Sequence, residues 1–279
     1  MAAVAEDLCL PGEHLFLAQE RLDWAARCPG GGQVTVTSWR SPGHAGTNQD
    51  GAMVAWPARD RMVLAVADGV GGLPGGDSAS SLALHALRDA LRVRLADGAD
   101  LREAVLSGFD RANRAVLQRG NGSATTLAVV DIDGERMRSY HVGDSGVLVF
   151  GGRGKVRLQT ISHSPVGYAV EAGVLDEQQA MAHADRHLVS NVVGDRAMHL
   201  GMSYPLRLKP MDTVLLASDG LFDNAYTDEV IEHLRKGDLQ HSADRLAARC
   251  RQRMNGAKDG APSKPDDLTL IAYRPGVRR

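Results

Sequence analysis

Apolar positions along this chain repeat with two different periods. Residues 33–39 (QVTVTSW) alternate polar with β-branched side chains, as a half-buried strand does. Residues 62–67 (MVLAVA) form a short continuous apolar run, consistent with a strand covered on both faces. Strand-like segments recur at 124–131, 137–142, 146–150, 156–160, 206–208, 213–217 and 268–273. Between them the spacing is helical. Residues 78–96, rich in Ala and Leu, and 101–119, which open after the N-cap candidate Asp100, predict two consecutive helices. Residues 227–236 and 242–254 predict a second pair. Segment 162–200 is rich in His, Asp and small residues, and its weak periodicity predicts a long loop with one short helix near 176–184. Strands, two helices, strands, two helices, strand is the order of an α+β or sandwich protein, not of regular βαβ alternation.

Residues 1–32 read as an N-terminal extension. Leu15, Phe16, Leu22 and Trp24 lie at near-helical spacing in an amphipathic stretch over 13–26, which Pro29-Gly30-Gly31-Gly32 then breaks; such side chains predict an extension that packs back on the sandwich, in preference to a docking arm. No linker interrupts 33–279, which predicts a single domain. A chain of 279 residues buries a large core and needs no staple. Its 34 acidic and 32 basic side chains leave a net charge of −2, without the basic stripe of a nucleic-acid binder. Cys9, Cys28 and Cys250 form no CxxC, so neither a disulfide framework nor a zinc motif is expected, and a reducing compartment fits. The acidic N-terminus is unlike a signal peptide, and no apolar run approaches the roughly 18 residues of a membrane span. These features predict a cytoplasmic protein with neither nucleic-acid nor membrane partners.

The informative pattern is a set of aspartates placed after apolar strands and mostly followed by glycine. They are Asp50 in GTNQDG, Asp68 in LAVADGVGG, Asp144 in YHVGDSG and Asp219 in VLLASDGLFD; Asp266 and Asp267 in KPDDLTLI precede a strand instead. Ordinary turn chemistry accounts for any one Asp-Gly. Five such sites in one chain suggest convergence at one edge of a sheet assembly, where the carboxylates repel unless cations sit among them. An oxygen-only ligand set favours Mg²⁺ or Mn²⁺ over zinc or copper. Several carboxylates can hold two such ions and orient a water for in-line attack on phosphorus. The residues alone therefore point to a dinuclear metal-dependent phosphate hydrolase.

The ordered set NQD (48–50), DGVGG (68–72), SATT (123–126), GDSG (143–146), SDGLFD (218–223) and DDLT (266–269) resembles the PPM family. These are the type 2C metal-dependent serine/threonine protein phosphatases, here in their short bacterial form, and the resemblance spans roughly 33–274. It implies a four-layer α/β-β/α sandwich, two antiparallel sheets flanked by helices, with two Mn²⁺ or Mg²⁺ ions in a cleft at one edge. By the same resemblance Asp68 bridges both metals, and the backbone carbonyl of Gly69 binds one of them. Asp219 and Asp266 match ligands of the first metal, and Asp50 helps to hold the second. Asp144, with Asp219 and Asp223, matches a weaker third site found in some members. Residues 161–200 fall where the family carries a variable flap over the cleft. The implied reaction is one-step hydrolysis of phosphoserine or phosphothreonine by a metal-bridging hydroxide, with no covalent intermediate. The implied partner is a phosphoprotein served by a separate serine/threonine kinase, and the expected state is a monomer.

Two departures from the family pattern stand out. The arginine that grips substrate phosphate five residues before the Asp of NQD is replaced by Ala45, which leaves His44 or Arg40 to supply positive charge. GDSG stands where GDSR is commoner, so Asp144 lacks an adjacent guanidinium. Val70 occupies the place of a histidine that acts as general acid in many eukaryotic relatives, leaving that task to water or to His163, His183 or His187. A phosphoprotein-binding regulator with weak or no turnover is the alternative function, favoured by Ala45. A nuclease would need a basic groove that the sequence lacks. His183 and His187 have the i, i+4 spacing of a zinc pair but no HExxH glutamate, and Arg249, Arg251, Arg253, Arg274, Arg278 and Arg279 read as a solvated face.

Overall fold

The structure, a computed structural model, describes residues 12–28, 31–43, 45–70, 75–256 and 260–276. It opens with five strands: β1 (Gly12–Leu17), β2 (Arg21–Arg27), β3 (Gln33–Trp39), β4 (Asp50–Ala58) and β5 (Arg61–Asp68). Helices α1 (Gly76–Ala96) and α2 (Leu101–Gln118) follow, then β6 (Leu127–Asp133), β7 (Arg136–Val142), β8 (Gly146–Phe150) and β9 (Val156–Gln159). The next segment holds α3 (Pro165–Glu171), α4 (Glu177–Met181) and a 3₁₀ turn at Ala184–His187. Last come β10 (Gly201–Met202), β11 (Leu206–Arg207), β12 (Thr213–Ala217), α5 (Asp219–Phe222), α6 (Thr227–Leu234), α7 (Leu239–Met254) and β13 (Leu268–Arg274).

All strand pairs are antiparallel. One sheet runs β1-β4-β5-β6-β7-β10, with β11 also on β7; the other runs β2-β3-β13-β12-β8-β9. Period-2 alternation sends β5 side chains to two different cores. Met62, Leu64 and Val66 face the second sheet's Val36, Val149 and Leu216, while Val63, Ala65 and Ala67 pack under Leu84 and Leu87 of α1 and Phe109 of α2. On the far side, Leu215 and Ala217 of β12 meet Leu246 and Cys250 of α7. This is the expected four-layer sandwich. It also explains why central strands read as continuous apolar runs although the sheets are antiparallel: both faces are covered. Asp100 caps α2 as expected, accepting from Glu103 N at 2.8 Å.

Residues 12–27 pack back on the sandwich, as their large apolar side chains suggest, but as two strands and not at the helical spacing of the amphipathic stretch. β1 joins the first sheet through β4, and β2 joins the second through β3. As edge strands they carry aromatic side chains over the open end of the sandwich. Trp24 of β2 lies 5.0 Å from His14 and 5.1 Å from Phe16 of β1, and 6.2 Å from Trp56 of β4, ring centre to ring centre. A hydrophobic repeat this short fits either period, and pairing with a distant strand decides between them. Trp24→Ala is expected to cost about 2–3 kcal/mol, below the value for a fully buried tryptophan because Trp24 is half-buried. Thermal melting should fall by roughly 5–10 °C; an unchanged melting temperature would show the N-terminal strands to be dispensable.

The flap region contains one more helix than expected, α3, which Ser164 caps by accepting from Gly167 N at 2.9 Å. Within 161–200 there is no named strand, but Val193 bridges Thr125 of the SATT motif and ties the segment back to the first sheet. Cys28 and Cys250 are buried free thiols; Cys9 lies outside the described residues. Among the described residues, no helix is long and apolar enough to cross a membrane.

Candidate metal centre

The five aspartate sites come from five chain segments and meet at one edge of the sandwich. Asp50 and Asp68 face each other directly in the β4–β5 register. Asp50 therefore opens its strand, which corrects the expectation that it follows one; Asp68 closes its own. Asp144 lies in the turn between β7 and β8, Asp219 starts α5 after β12, and Asp266 precedes β13. β12 and β13 are antiparallel, with Ala217 opposite Leu270, so the end of one and the start of the other share that edge. On α5, Asp219 and Asp223 are four apart and lie on one face.

Short polar contacts hold these carboxylates in place. Ser218 Oγ donates to Asp50 Oδ2 at 2.7 Å, and Asp50 N donates to Asn48 Oδ1 at 2.8 Å. The Asp68 carbonyl accepts from Thr126 N at 2.8 Å and Thr125 Oγ1 at 2.7 Å. Thr126 Oγ1 lies 2.6 Å from Ser145 Oγ, so SATT and GDSG brace each other behind Asp68. Gly69 allows β5 to end against α1, since a Cβ there would stand 2.4 Å from the Gly76 carbonyl. Asp267, the neighbour of Asp266, does a different job. Its two oxygens accept from Ser41 N and Gln49 N, both at 2.7 Å, and thereby shape the loop that leads to Asp50.

The centre carries more negative charge than it can hold unaided. Burial first, then Asp267, pushes Asp50 well above the carboxylate range, against the opposing Ser218 bond. Burial and the charges of Asp50, Asp219, Asp266 and Asp144 do the same to Asp68. Burial and Asp219 raise Asp144 to about 8, Asp266 to about 7 and Asp223 to about 6. Among the described residues, one ammonium pairs directly with this cluster. The Lys264 ammonium pairs with Asp219, with Asp223 at 2.9 Å and with Asp266 at 3.3 Å. Burial works against its charge, yet those three carboxylates hold its pKa above the ordinary value. The sequence reading missed Lys264, although KPDD places a cation two residues before an expected ligand.

A divalent ion fits this donor set. Asp50 Oδ1 and Asp219 Oδ1 are buried and accept no hydrogen bond, and hard cations take carboxylate oxygens. Among the described residues, no three His, Cys, Asp or Glu side chains already stand as a finished cage. The Lys264 ammonium draws Asp219, Asp223 and Asp266 towards itself instead. Protons compete for the same sites. A carboxyl with a folded pKa above its unfolded 3.8 binds more protons when folded, so stability falls as pH rises from about 4 through the folded values. In EDTA the melting temperature should therefore decline steadily from pH 5 to about 8.5, and saturating Mn²⁺ should flatten the decline; a flat EDTA profile would refute this electrostatic account.

His44, expected at the substrate phosphate, lies outside the described residues. Arg40 is engaged with Glu20 at 3.0 Å and the Gly46 carbonyl at 3.3 Å. A cavity of 310 Å³ lies beside the centre, walled by Ser162, Val166, Val170, Met181 and Arg186 of the flap and by Asp144, Asp219 and Asp223. Arg186 pins the flap by donating to the Met181 carbonyl and to the Ser263 carbonyl. His163 stacks on His141 and lies against the tilted ring of His199, and burial with those neighbours pushes it down to about 4. His183 and His187 spend their Nδ1 atoms on local backbone, at Asp185 N and the Ala184 carbonyl, in a 3₁₀ turn and not on an α-helical face. The expected solvated arginine face holds for the exposed Arg249 and is corrected at Arg253 and Arg274. Arg253 is buried, donating to Glu229 and to the Asn224 carbonyl at 2.7 Å, and Arg274 donates to the Leu234 and Gly237 carbonyls. Arg278 and Arg279 lie outside the described residues.

A two-sheet sandwich with carboxylates gathered at one edge defines a hydrolase class that works through divalent cations. A family model described as protein phosphatase 2C matches residues 41–257. The chain belongs to the protein phosphatase 2C family, and is thus a metal-dependent enzyme that hydrolyses phosphoric monoesters. The matched span stops short of Asp266. The chain is 26% identical over 206 residues to the serine/threonine phosphatase stp of Listeria monocytogenes, covering 71% of this chain and 81% of that protein. It is 28% identical over 194 residues to the serine/threonine protein phosphatase PstP of Mycobacterium tuberculosis, covering 66% of this chain and 36% of the longer relative. In fold it is similar to the crystal structure of PstP/Ppp, with TM-score 0.71 and 24% identity over 88% of this chain and 99% of that one. A PstP catalytic domain in complex with two manganese ions gives TM-score 0.69 at 24% identity, over 87% and 97% of the two chains.

Proposed function

We propose that this chain, a protein serine/threonine phosphatase, hydrolyses phosphoserine and phosphothreonine with two Mn²⁺ or Mg²⁺ ions. Asp50, Asp68, Asp219, Asp266 and the carbonyl of Gly69 would hold the pair, with Asp144 behind Asp219. The observation that carries this reading is the direct Asp50–Asp68 pairing across β4–β5, opposite Asp219 and Asp266 from the other sheet. When bound, such ions supply Lewis acidity towards phosphoryl oxygens and make water acidic enough to be a nucleophile at neutral pH.

The remaining work falls to the chain. Ser218 fixes the Asp50 carboxylate through Oδ2 and leaves Oδ1 free. Thr125 and Thr126 fix the Asp68 backbone. The 310 Å³ cavity supplies apolar walls for side chains flanking the phosphorylated residue and limits water around the reacting phosphate. His163, stacked on His141 and pushed down to about 4, is uncharged at neutral pH and has no imidazolium proton to give the leaving alkoxide. A cytoplasmic phosphoprotein phosphorylated by a separate kinase suits such a chain. Hydrolysis of a phosphothreonine peptide should require Mn²⁺ or Mg²⁺ and vanish in EDTA. Tight Mn²⁺ binding without turnover would instead favour a phosphoprotein-binding regulator. The phosphate contact assigned to His44 rests on its position before Ala45, and a His44→Ala variant with unchanged KM and kcat would remove it.

A further inference from the structure

We propose that Lys264 is a built-in counter-cation of the acidic centre. Its ammonium holds the Asp219–Asp223 side permanently, so that divalent ions bind only on the Asp50–Asp68 side, and removing it opens one further divalent site beside Asp219 and Asp223. The proposal rests on the metal reading above.

The geometry makes Lys264 a fixture and not a passing contact. The Lys264 ammonium donates to Asp219 and lies within ion-pair distance of Asp223, at 2.9 Å, and Asp266, at 3.3 Å. Its side chain is only 17% exposed, so water screens these pairs less than it screens ordinary surface ion pairs. The backbone is fixed on both sides. Lys264 N donates to Asn224 Oδ1 at 2.9 Å, and Asn224 Nδ2 returns a bond to the Lys264 carbonyl at 2.8 Å. Asn224 is itself fully buried and its carbonyl is held by Arg253. Arg186 clamps the preceding Ser263 carbonyl at 2.9 Å, and Pro265 restricts Lys264 to extended backbone.

Asp219 can serve both cations at once because a carboxylate has two oxygens. Oδ2 sits on the ammonium, while Oδ1 is buried and bonded to nothing. An ion on the Asp50–Asp68 side can use Asp219 Oδ1 without displacing Lys264; Asp266, whose Oδ2 faces Lys264 at 3.3 Å and whose Oδ1 accepts from Asp267 N at 3.0 Å, would reach such an ion through the second lone pair of Oδ1. On the other side Asp144, Asp219 and Asp223 line one cavity, and like charges gathered there repel one another without a cation. Lys264 supplies that cation without any demand on the metal supply.

The test counts Mn²⁺ bound per full-length chain and follows amine labelling by peptide mass spectrometry. Wild type should bind two ions, Lys264→Arg two, and Lys264→Gln three, the third more weakly. Exposed Lys155, Lys209 and Lys236 should label freely, while Lys264 stays protected in EDTA and in saturating Mn²⁺ alike. Three ions in wild type, an equal count in Lys264→Gln, or Mn²⁺-induced labelling of Lys264 would each overturn the proposal and leave the metal reading standing. No Mn²⁺ binding by wild type would end both. The labelling arm needs no variant, so a Lys264→Gln chain that fails to fold does not rescue the idea.

Discussion

Asp68→Asn should lose at least about 10³-fold in phosphopeptide hydrolysis while the chain stays folded. Several kcal/mol of transition-state stabilisation pass through ions held at such a site, and each 1.4 kcal/mol is a factor of ten in rate. Asp68 stands at the middle of the cluster, raised by burial and then by Asp50, Asp219, Asp266 and Asp144. Asparagine keeps the shape and removes the charge that those neighbours repel. In EDTA its melting temperature should therefore equal or exceed that of wild type, and Mn²⁺ should raise it less than it raises the parent. This opposed pattern, activity lost and apo stability kept, separates a ligand from a structural residue. A variant that retained more than a tenth of the activity would exclude Asp68 as the central ligand.

The second large effect is expected at Gly220, where the constraint is space and not charge. A Cβ built there would stand 1.9 Å from the Asp267 carbonyl oxygen, 2.8 Å from its carbon and 3.1 Å from the Leu268 Cα. All three are backbone atoms, so no side chain can swing aside. Gly220→Ala must push α5 away from the start of β13, and with it Asp219 away from Asp266. Overpacking of this kind costs about 1–3 kcal/mol and sometimes more. The change also loosens the loop that Asp267 holds through Ser41 N and Gln49 N. Activity should therefore fall well beyond what lost stability explains. Gly134→Ala is the control. Gly134 has φ of 63° in the β6–β7 hairpin and nothing within 4 Å of its Cβ, so alanine costs about 1–2 kcal/mol of backbone strain far from the centre. If both variants lose stability but only Gly220→Ala weakens Mn²⁺ binding, the close approach of α5 to β13 is what aligns the ligands. Equal Mn²⁺ affinity in the two would refute that.

Much of the architecture was legible because it is written in local periods. The apolar runs of β5 and β12, the alternation of β3 and the helical spacing of α1, α2 and α7 each require only a few neighbouring residues to agree. Aspartates at the ends of those runs then had to lie at sheet edges, and antiparallel order made one shared edge a reasonable expectation. Other features had no local signature. β1 and β2 are short, half-buried edges, and strands 4 and 3, not their own spacing, hold them extended. Asp266 and Asp267 are adjacent and chemically identical, yet one meets Lys264 and the other caps the backbone of the 41–49 loop. Arg253 looks like any arginine on a basic helix until Glu229 and Asn224 surround it.

By itself, then, the sequence determined the kinds of element, their order, and the supply of carboxylates at strand ends, because these depend on side-chain period and turn chemistry within a few residues. Only the tertiary structure decided which carboxylates face cations, which hold backbone, and that Lys264 stands among them. Those roles depend on register between strands more than a hundred residues apart, and charge acts through space at distances that sequence spacing does not measure.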